Sequence, residues 1–233
     1  MSDPVEAGFA PLVVGPYGGH GFVIAGGASR YRYVVTAAHC LRRWLPPAGF
    51  LADRWDCTWR NFIGPFGGPR RVWAQCVFVD PVTDIAVLGS PDNQALNEQA
   101  DAYEALTEAA VVLEVGALPI KLCQLSPPVT IEGETYQSPP LPVISEHPGW
   151  LFSLPNRRWF GCTLSHNGRA LGIKDAAEDI ISGMSGSPIL SAQGQVVGVL
   201  CNSLGDREGL MQASLAAHLP GWLQRELGLS AAP

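Results

Sequence analysis

The sequence has few charged residues, very few lysines and no long apolar run. Only 15% of its 233 residues are charged, and the only lysines are Lys121 and Lys174. With a net charge of −6 and no basic patch, the chain is not expected to have a nucleic-acid partner. No apolar run approaches the roughly 20 residues of a membrane span, so we expect no membrane partner either. An apolar content of 47% excludes a chain that is mainly disordered.

The N-terminus lacks the features of a secretory signal, and the cysteines lack the spacing of metal ligands. Residues 1–6 contain neither a basic segment nor a long apolar one, so we expect a cytoplasmic protein. The 6 cysteines include no Cys-x-x-Cys pair. We therefore predict reduced thiols, no metal and no cofactor, with disulfides as the alternative if an export signal has been removed.

Glycine and proline are abundant, with 26 and 20 residues, and they separate short apolar runs. This pattern favours many short strands over a helix bundle. The predicted strands are residues 21–26, 31–36, 72–79, 85–88, 119–123, 129–131, 150–153, 159–163, 170–173 and 195–201.

The remaining segments are predicted as turns, loops and two helical stretches. Residues 27–30 form a hairpin turn between the first two strands, and Asp92 or Asn93 caps a short helix. Residues 126–148, which are rich in proline, are predicted as a long surface loop with one strand. Residues 214–227 have helical apolar spacing and are predicted as a terminal helix. The sum is two β-rich halves and a closing helix.

Three separated motifs carry side chains suited to chemistry. A buried strand runs into a turn of small residues that presents His39, and Asp84 begins another buried strand. Glycines flank Ser185 in the segment GMSGSP, and such a loop directs backbone N–H groups at a substrate. Taken singly, each motif also has an ordinary explanation: a core histidine, a turn carboxylate or a Gly-Ser turn.

The three motifs follow one another in the order His, Asp, Ser, which is a known chain order of a serine-protease triad. Over residues 21–227 the sequence resembles the chymotrypsin-like serine proteases. The segment DPVTDIA, residues 80–86, is similar to the HtrA form of the aspartate motif. The segment GMSGSP, residues 183–188, is similar to the glutamyl-endopeptidase form of the serine motif. The resemblance implies an all-β fold of two six-stranded antiparallel β-barrels with a C-terminal helix.

The same resemblance implies a division of the chain into three parts. Residues 1–92 would form the N-terminal barrel with the histidine and aspartate motifs. Residues 93–116 would be a partly helical connection, and residues 117–233 the C-terminal barrel with the serine motif and the terminal helix. Few residues follow Ser185, so we expect no counterpart of the PDZ domain of HtrA enzymes.

The resemblance also assigns catalytic roles and a substrate, a protein or peptide. Ser185 would attack the scissile carbonyl, and His39 would take its proton and return it to the leaving amine. Asp84 would hold the imidazole in the required tautomer. The N–H groups of Gly183 and Ser185 would bind the developing oxyanion.

Three positions depart from the family pattern. Cys40 would face Ile24, so the disulfide that many animal trypsin-like enzymes form beside the histidine is absent. Met184 replaces an aspartate that pairs with a freed N-terminal amine, so we expect no activation by N-terminal cleavage. Cys201 replaces a serine that supports the buried aspartate, and a thiol is a poorer hydrogen-bond partner.

The resemblance places Asp179, Cys201 and Ser203 in the substrate-binding pocket. Asp179 lies where trypsin-type enzymes carry the aspartate that selects Arg or Lys, which predicts cleavage after a basic residue. The alternative is an exposed loop carboxylate, because the neighbouring Glu178 makes this loop acidic in any case. Ser203 stands where an open pocket has glycine, so the pocket is expected to be narrowed.

Other functions stay open at this point. The chain is either a constitutive protease, a protease activated by a protein partner, or a silent protease fold that only binds. A cysteine hydrolase based on Cys40 is disfavoured, because neighbouring residues at a strand end point apart. The other histidines are scattered without metal spacing and receive no role: His20, His147, His166 and His218.

Overall fold

The structure is a computed structural model that describes most of the chain. The described residues are 8–16, 18–25, 31–41, 57–91, 95–123, 127–132, 134–136, 140–201 and 209–229. The predicted turn at residues 27–30, the predicted cap at Asp92 or Asn93, and Ser203 lie outside these ranges.

The first half of the chain forms a closed barrel. Its strands are β1 (Leu12–Val14), β2 (Gly19–Ala25), β3 (Arg32–Ala37), β4 (Thr58–Gly64), β5 (Val72–Asp80) and β6 (Ile85–Gly89). They pair in the order β1-β4-β5-β6-β3-β2, and β1 pairs again with β2 to close the ring. All six pairings are antiparallel, and a short strand β7 (Val112–Leu113) adds to β2 in parallel.

The second half forms a barrel that is nearly closed. Its strands are β12 (Ser145–Ser153), β13 (Arg158–His166), β14 (Ala170–Lys174), β15 (Pro188–Ser191), β16 (Val196–Val199) and β17 (Gly209–Ala213). They pair in the order β16-β15-β12-β13-β14-β17. The two ends of this sheet meet at one antiparallel bridge between Gly198 and Ser214. The predicted fold class of two six-stranded barrels is therefore confirmed.

Two short two-stranded ribbons lie between the first barrel and β12, in a region where a loop with a single strand was predicted. In them β8 (Lys121–Cys123) pairs with β11 (Leu141–Val143), and β9 (Val129–Ile131) pairs with β10 (Glu134–Tyr136). The prediction for residues 126–148 was thus wrong. Proline excludes a residue from central strands but not from edge strands, and Pro142 lies in a ribbon with only one partner.

Helices are few and short. The longest, α1 (Asn97–Glu108), packs against β5 and β3 and buries the ring of Tyr103. The predicted terminal helix is two pieces, α2 (Leu215–His218) and α3 (Gly221–Glu226), which are interrupted at Pro220 because proline cannot donate to the preceding turn. No helix within the described ranges is long and apolar enough to cross a membrane.

An apolar cluster joins the two barrels. It contains Ile24 and Val87 from the first barrel, Leu190 and Val199 from the second, and Leu223 from α3. Each of these side chains is fully buried, and burial of a side chain of this size contributes about 1.5–3 kcal/mol. The boundary between the barrels is therefore packed like a core, and the candidate site lies at its edge.

Candidate active site

His39 lies on a single 3-10 turn that continues β3. The turn, Ala38–Cys40, is fixed because the Ala38 N–H donates to the Asp84 carbonyl at 2.9 Å. The imidazole is 40% exposed, so one edge of the ring is open to a substrate while the other faces the protein. The strand thus delivers the histidine to the surface at a defined position.

Asp84 stands in a tight loop between β5 and β6. Asp80 organises this loop, since its carboxylate accepts hydrogen bonds from the Val82 N–H at 2.9 Å and from the Thr83 hydroxyl at 2.7 Å. Burial raises the pKa of Asp80, but these hydrogen bonds outweigh that effect and lower it. Asp84 itself adopts a φ of 59°, a left-handed conformation that aspartate tolerates better than most residues.

The carboxylate of Asp84 holds His39 at two points. One oxygen accepts the ring Nδ1–H at 2.6 Å, and the other accepts the His39 backbone N–H at 2.7 Å. This leaves Nε2 as the ring atom available to a nucleophile. The hydrogen bond to Asp84 is the main cause that raises the pKa of His39 to about 10, and a contribution from Cys40 adds to it.

Ser185 lies in a loop shaped by two glycines with positive φ. The Met184 N–H donates to the Ile181 carbonyl at 3.2 Å, and Gly183 between them has a φ of 96°, which together give a type II turn. Gly186 has a φ of 85°, and a Cβ there would lie 1.8 Å from the His20 carbonyl oxygen. Glycine is therefore required for space at Gly186 and favoured by its backbone conformation at Gly183.

The loop leaves two backbone donors without a partner. Among the described residues, neither the Gly183 N–H nor the Ser185 N–H donates a hydrogen bond to the protein backbone or to a side chain. The N–H groups of Met184 and Gly186, in contrast, are both engaged. The pair expected to bind an oxyanion is therefore the pair that the fold leaves available.

His39 and Ser185 line one cleft of about 270 Å³, together with Ser182, Gly183 and Cys201. The Ser185 hydroxyl donates to the Cys201 carbonyl at 3.3 Å, and within the described part of the chain it makes no hydrogen bond to His39. A hydrogen bond of this kind contributes about 0.5–1.5 kcal/mol, so it holds the hydroxyl only weakly in this direction.

Met184 anchors the loop through apolar packing. Its side chain is 1% exposed in the core of the second barrel, and its sulfur accepts the Ile181 N–H at 3.3 Å. A thioether in an apolar core carries no charge and forms no ion pair. The loop is held without the ion pair that an aspartate would need at this position.

The two cysteines at the site are buried donors. Cys201 donates its thiol to the Asp84 carbonyl at 3.3 Å, and burial followed by the charge of Asp84 raises the pKa of this thiol. Cys40 donates to the Ser185 carbonyl at 3.8 Å. Its thiol lies close enough to raise the pKa of His39, contrary to our expectation from strand geometry, but Cys40 is only 5% exposed. Each of the 6 cysteines is a thiol, and none takes part in a disulfide.

Asp179 is exposed and does not line the cleft with His39 and Ser185. It lines a neighbouring groove of about 370 Å³ whose other residues include Asn156 and Glu178. Ile181 lines both the groove and the cleft. Ser203 lies outside the described residues.

The sequence analysis missed His20, which the fold brings to the serine loop. Its ring Nδ1 is 2.6 Å from the Gly183 carbonyl oxygen, although 163 residues separate them in the chain. No local pattern around His20 signals this contact. Across the described ranges, no group of three or more potential ligands is placed to hold a metal ion.

One protein-family model matches this chain over most of its length. Residues 19–199 match the family model described as a trypsin-like peptidase domain. No curated protein matches the chain.

Solved structures with similar architecture are distant in sequence. An inactive form of Rv3671c from M. tuberculosis, a serine-to-alanine mutant, is 16% identical with a TM-score of 0.46, over 96% of this chain and 88% of that one. A serine protease of a human pathogenic astrovirus is 14% identical with a TM-score of 0.44, over 93% of this chain and 96% of that one. Since the family model spans well over half of the residues, the chain belongs to the trypsin-like peptidase family.

Proposed function

We propose that this chain is a serine endopeptidase that uses Ser185, His39 and Asp84. The observation that carries the proposal is the shared cleft, which is lined by Ser185 and by His39, whose imidazole is bound to Asp84. Two unpartnered N–H groups beside the serine supply the second requirement, which is stabilisation of an oxyanion. The cleft is therefore suited to acyl transfer.

The reaction follows from these groups in two stages. The Ser185 oxygen bonds to the substrate carbonyl carbon, and its proton passes to Nε2 of His39. The C–N bond then breaks, and the same proton leaves with the amine, so an acyl-enzyme remains. Water next attacks the ester with His39 again as the base, which releases the carboxylic acid and restores the Ser185 hydroxyl.

A fluorophosphonate probe tests this function on the intact chain. The Ser185 oxygen would displace fluoride from phosphorus, so mass spectrometry of the labelled protein should show the adduct on Ser185. Ser185→Ala should give no adduct, and His39→Ala should give almost none, because a serine without its base is a weak nucleophile. A folded wild-type protein that stays unlabelled would contradict the proposal.

The intact chain also tests whether a cleaved N-terminus is needed. Met184 occupies an apolar core position and has no charge to offer an N-terminal amine. We therefore propose that the loop is ordered without N-terminal cleavage, and labelling should not increase after trimming.

One observation favours a second function, a protease that a protein partner activates. The Ser185 hydroxyl is directed at the Cys201 carbonyl rather than at His39, which is the arrangement expected of a resting enzyme. Because such hydrogen bonds can also tighten when substrate binds, the test has to separate activation by a partner from activation by substrate. Casein hydrolysis that appears only after addition of cell extract would favour the partner-activated enzyme, whereas a silent binding module would remain inactive in both conditions.

Asp179 is proposed to select a basic residue at the cleavage site. Its groove meets the catalytic cleft at Ile181, so a long basic side chain that passes Ile181 would approach the carboxylate. Glu178 lines the same groove, pairs with Arg158 at 2.6 Å, and is the matched control.

We expect the wild type to prefer peptides with Arg or Lys, and Asp179→Ser to lose most of that preference. Peptide-library profiling measures it, and Glu178→Gln should leave it unchanged. An Asp179→Ser profile identical to that of the wild type would show that another residue sets the specificity.

A further inference from the structure

His20 binds both carbonyls of the residues that supply the oxyanion donors. Its ring Nδ1 lies 2.6 Å from the Gly183 oxygen, and its backbone N–H donates to the Ser185 oxygen at 2.8 Å. His20 belongs to β2 of the first barrel, whereas Gly183 and Ser185 belong to the second. One residue therefore holds the serine loop from across the boundary between the barrels.

The two peptide groups concerned are each held at both ends. The peptide that joins Gly183 to Met184 gives its oxygen to the His20 ring and its N–H to the Ile181 carbonyl, at 3.2 Å. The peptide after Ser185 gives its oxygen to the His20 backbone and its N–H to the Leu200 carbonyl, at 2.7 Å. Neither peptide turns without the loss of two hydrogen bonds.

The ring bond matters most at Gly183, because glycine resists rotation about φ and ψ less than any other residue. With its carbonyl free, the peptide that joins Gly183 to Met184 could rotate, and the Met184 N–H would leave the Ile181 carbonyl. That hydrogen bond closes the turn whose central peptide carries the Gly183 N–H. The bond from His20 therefore keeps the turn closed and so restrains the position of this donor.

His20 is itself fixed and suited to donate. Its carbonyl accepts the Thr36 hydroxyl at 2.6 Å, and the Phe66 ring packs on the imidazole with centroids 5.6 Å apart. A carbonyl only accepts hydrogen bonds, so Nδ1 must carry the proton. Burial lowers the pKa of His20, which favours the neutral ring, and the neutral ring meets the Gly183 carbonyl with its proton on Nδ1.

We propose that His20 is a positioning residue that keeps the Gly183 and Ser185 N–H groups aimed at the oxyanion. It touches neither substrate nor reacting atoms and acts through the Gly183 carbonyl and the Ser185 carbonyl. The inference deepens the proposed function and rests on it.

Two variants at His20 separate the ring bond from the packing. His20→Leu keeps the apolar volume and removes the donor, while the side-chain N–H of His20→Asn stands near the place of Nδ1. We expect His20→Leu to slow fluorophosphonate labelling of Ser185 about 10- to 100-fold, somewhat less than full loss of one oxyanion donor. His20→Asn should recover most of the rate, and the loss should fall on kcat rather than KM for any peptide that is cleaved.

Hydrogen–deuterium exchange of the peptide that covers residues 181–187 gives a readout that needs no activity. Exchange should be faster in His20→Leu than in the wild type and close to wild type in His20→Asn. His166→Leu is the matched control, since His166 is also buried and its ring accepts the Gly168 N–H at 3.1 Å, which is not a bond to the serine loop. It should cost stability without faster exchange in residues 181–187.

The outcomes distinguish this inference from the proposed function. An unlabelled wild type would overturn the peptidase, while the exchange comparison would still decide the role of His20. Equal exchange in wild type and His20→Leu, or an Asn variant as impaired as the Leu variant, would overturn the inference. If both variants fail to fold, ring-nitrogen NMR of the wild type decides it: a His20 proton on Nε2 is incompatible with the bond to Gly183.

Discussion

Asp84→Asn is expected to lower the rate of Ser185 labelling by about 10⁴-fold without unfolding the protein. Asparagine tolerates the φ of 59° at this position as well as aspartate does, so the loop should keep its shape. The His39 backbone N–H, however, needs the single amide oxygen as its acceptor, so the NH₂ meets the ring as a donor where the carboxylate accepted. The imidazole would then adopt the tautomer with its proton on Nε2, the atom that has to act as the base.

The pH dependence of the labelling rate of the same variant is an independent test. Only the neutral imidazole accepts the serine proton, so the rate falls as pH drops below the pKa of His39. Because Asp84 raises that pKa to about 10, the labelling rate of the wild type should begin to fall at a pH above 6.5, the usual pKa of histidine. Loss of the carboxylate lowers the pKa, so the residual activity of Asp84→Asn should begin to fall at a lower pH.

Asp175→Asn is the matched control. Asp175 is exposed, has a φ of 48°, and lies away from the cleft, so the same chemical change occurs in the same backbone conformation. Its labelling rate and pH profile should be those of the wild type. Full activity in Asp84→Asn would mean that another group orients the imidazole.

Gly183→Ala is expected to reduce the labelling rate about 10²- to 10³-fold, the effect of one lost oxyanion donor. Space is not the reason, because an added Cβ would have no atom within 4 Å. The reason is the φ of 96°, which alanine adopts only at a cost of about 1–2 kcal/mol. The type I turn avoids this cost, and it turns the central peptide, with the Gly183 N–H, the other way.

Gly228→Ala separates the backbone cost from the catalytic effect. Gly228 has a φ of 70° with no atom within 4 Å of the added Cβ, and it follows α3 far along the chain from the loop. Urea unfolding should show a similar small loss of stability in both variants, while only Gly183→Ala should lose labelling. Equal labelling rates in the two variants would remove Gly183 from the oxyanion site.

The features that depend on a local residue pattern could be predicted from the sequence. The His39 turn, the loop before Asp84 and the glycines around Ser185 are each defined by neighbours within a few residues, so their residue types and order were informative. The strands of both barrels were visible for the same reason wherever apolar runs were bounded by turn residues.

Features set by distant contacts were not predictable. The contact of His20 with Gly183 depends on the packing of two barrels, and no spacing along the chain encodes it. The strand β4 was missed because Arg60 and Asn61 interrupt its apolar pattern. The register shifts there, and Asn61 has a φ of 52°. The surroundings of Asp179 could not be predicted either. Its position in the chain suggested a pocket floor, whereas the fold leaves it exposed in a groove beside the cleft.

The boundary between the barrels has a further consequence for how this molecule can be divided. His39, Asp84 and His20 come from the first half and Ser185 from the second, and His20 contacts the loop of the second half. A fragment with either half alone would lack part of the proposed triad, and the serine loop would lose its contact with His20. Under the proposed function, the smallest active unit is therefore the docked pair, and separation of the halves would abolish activity.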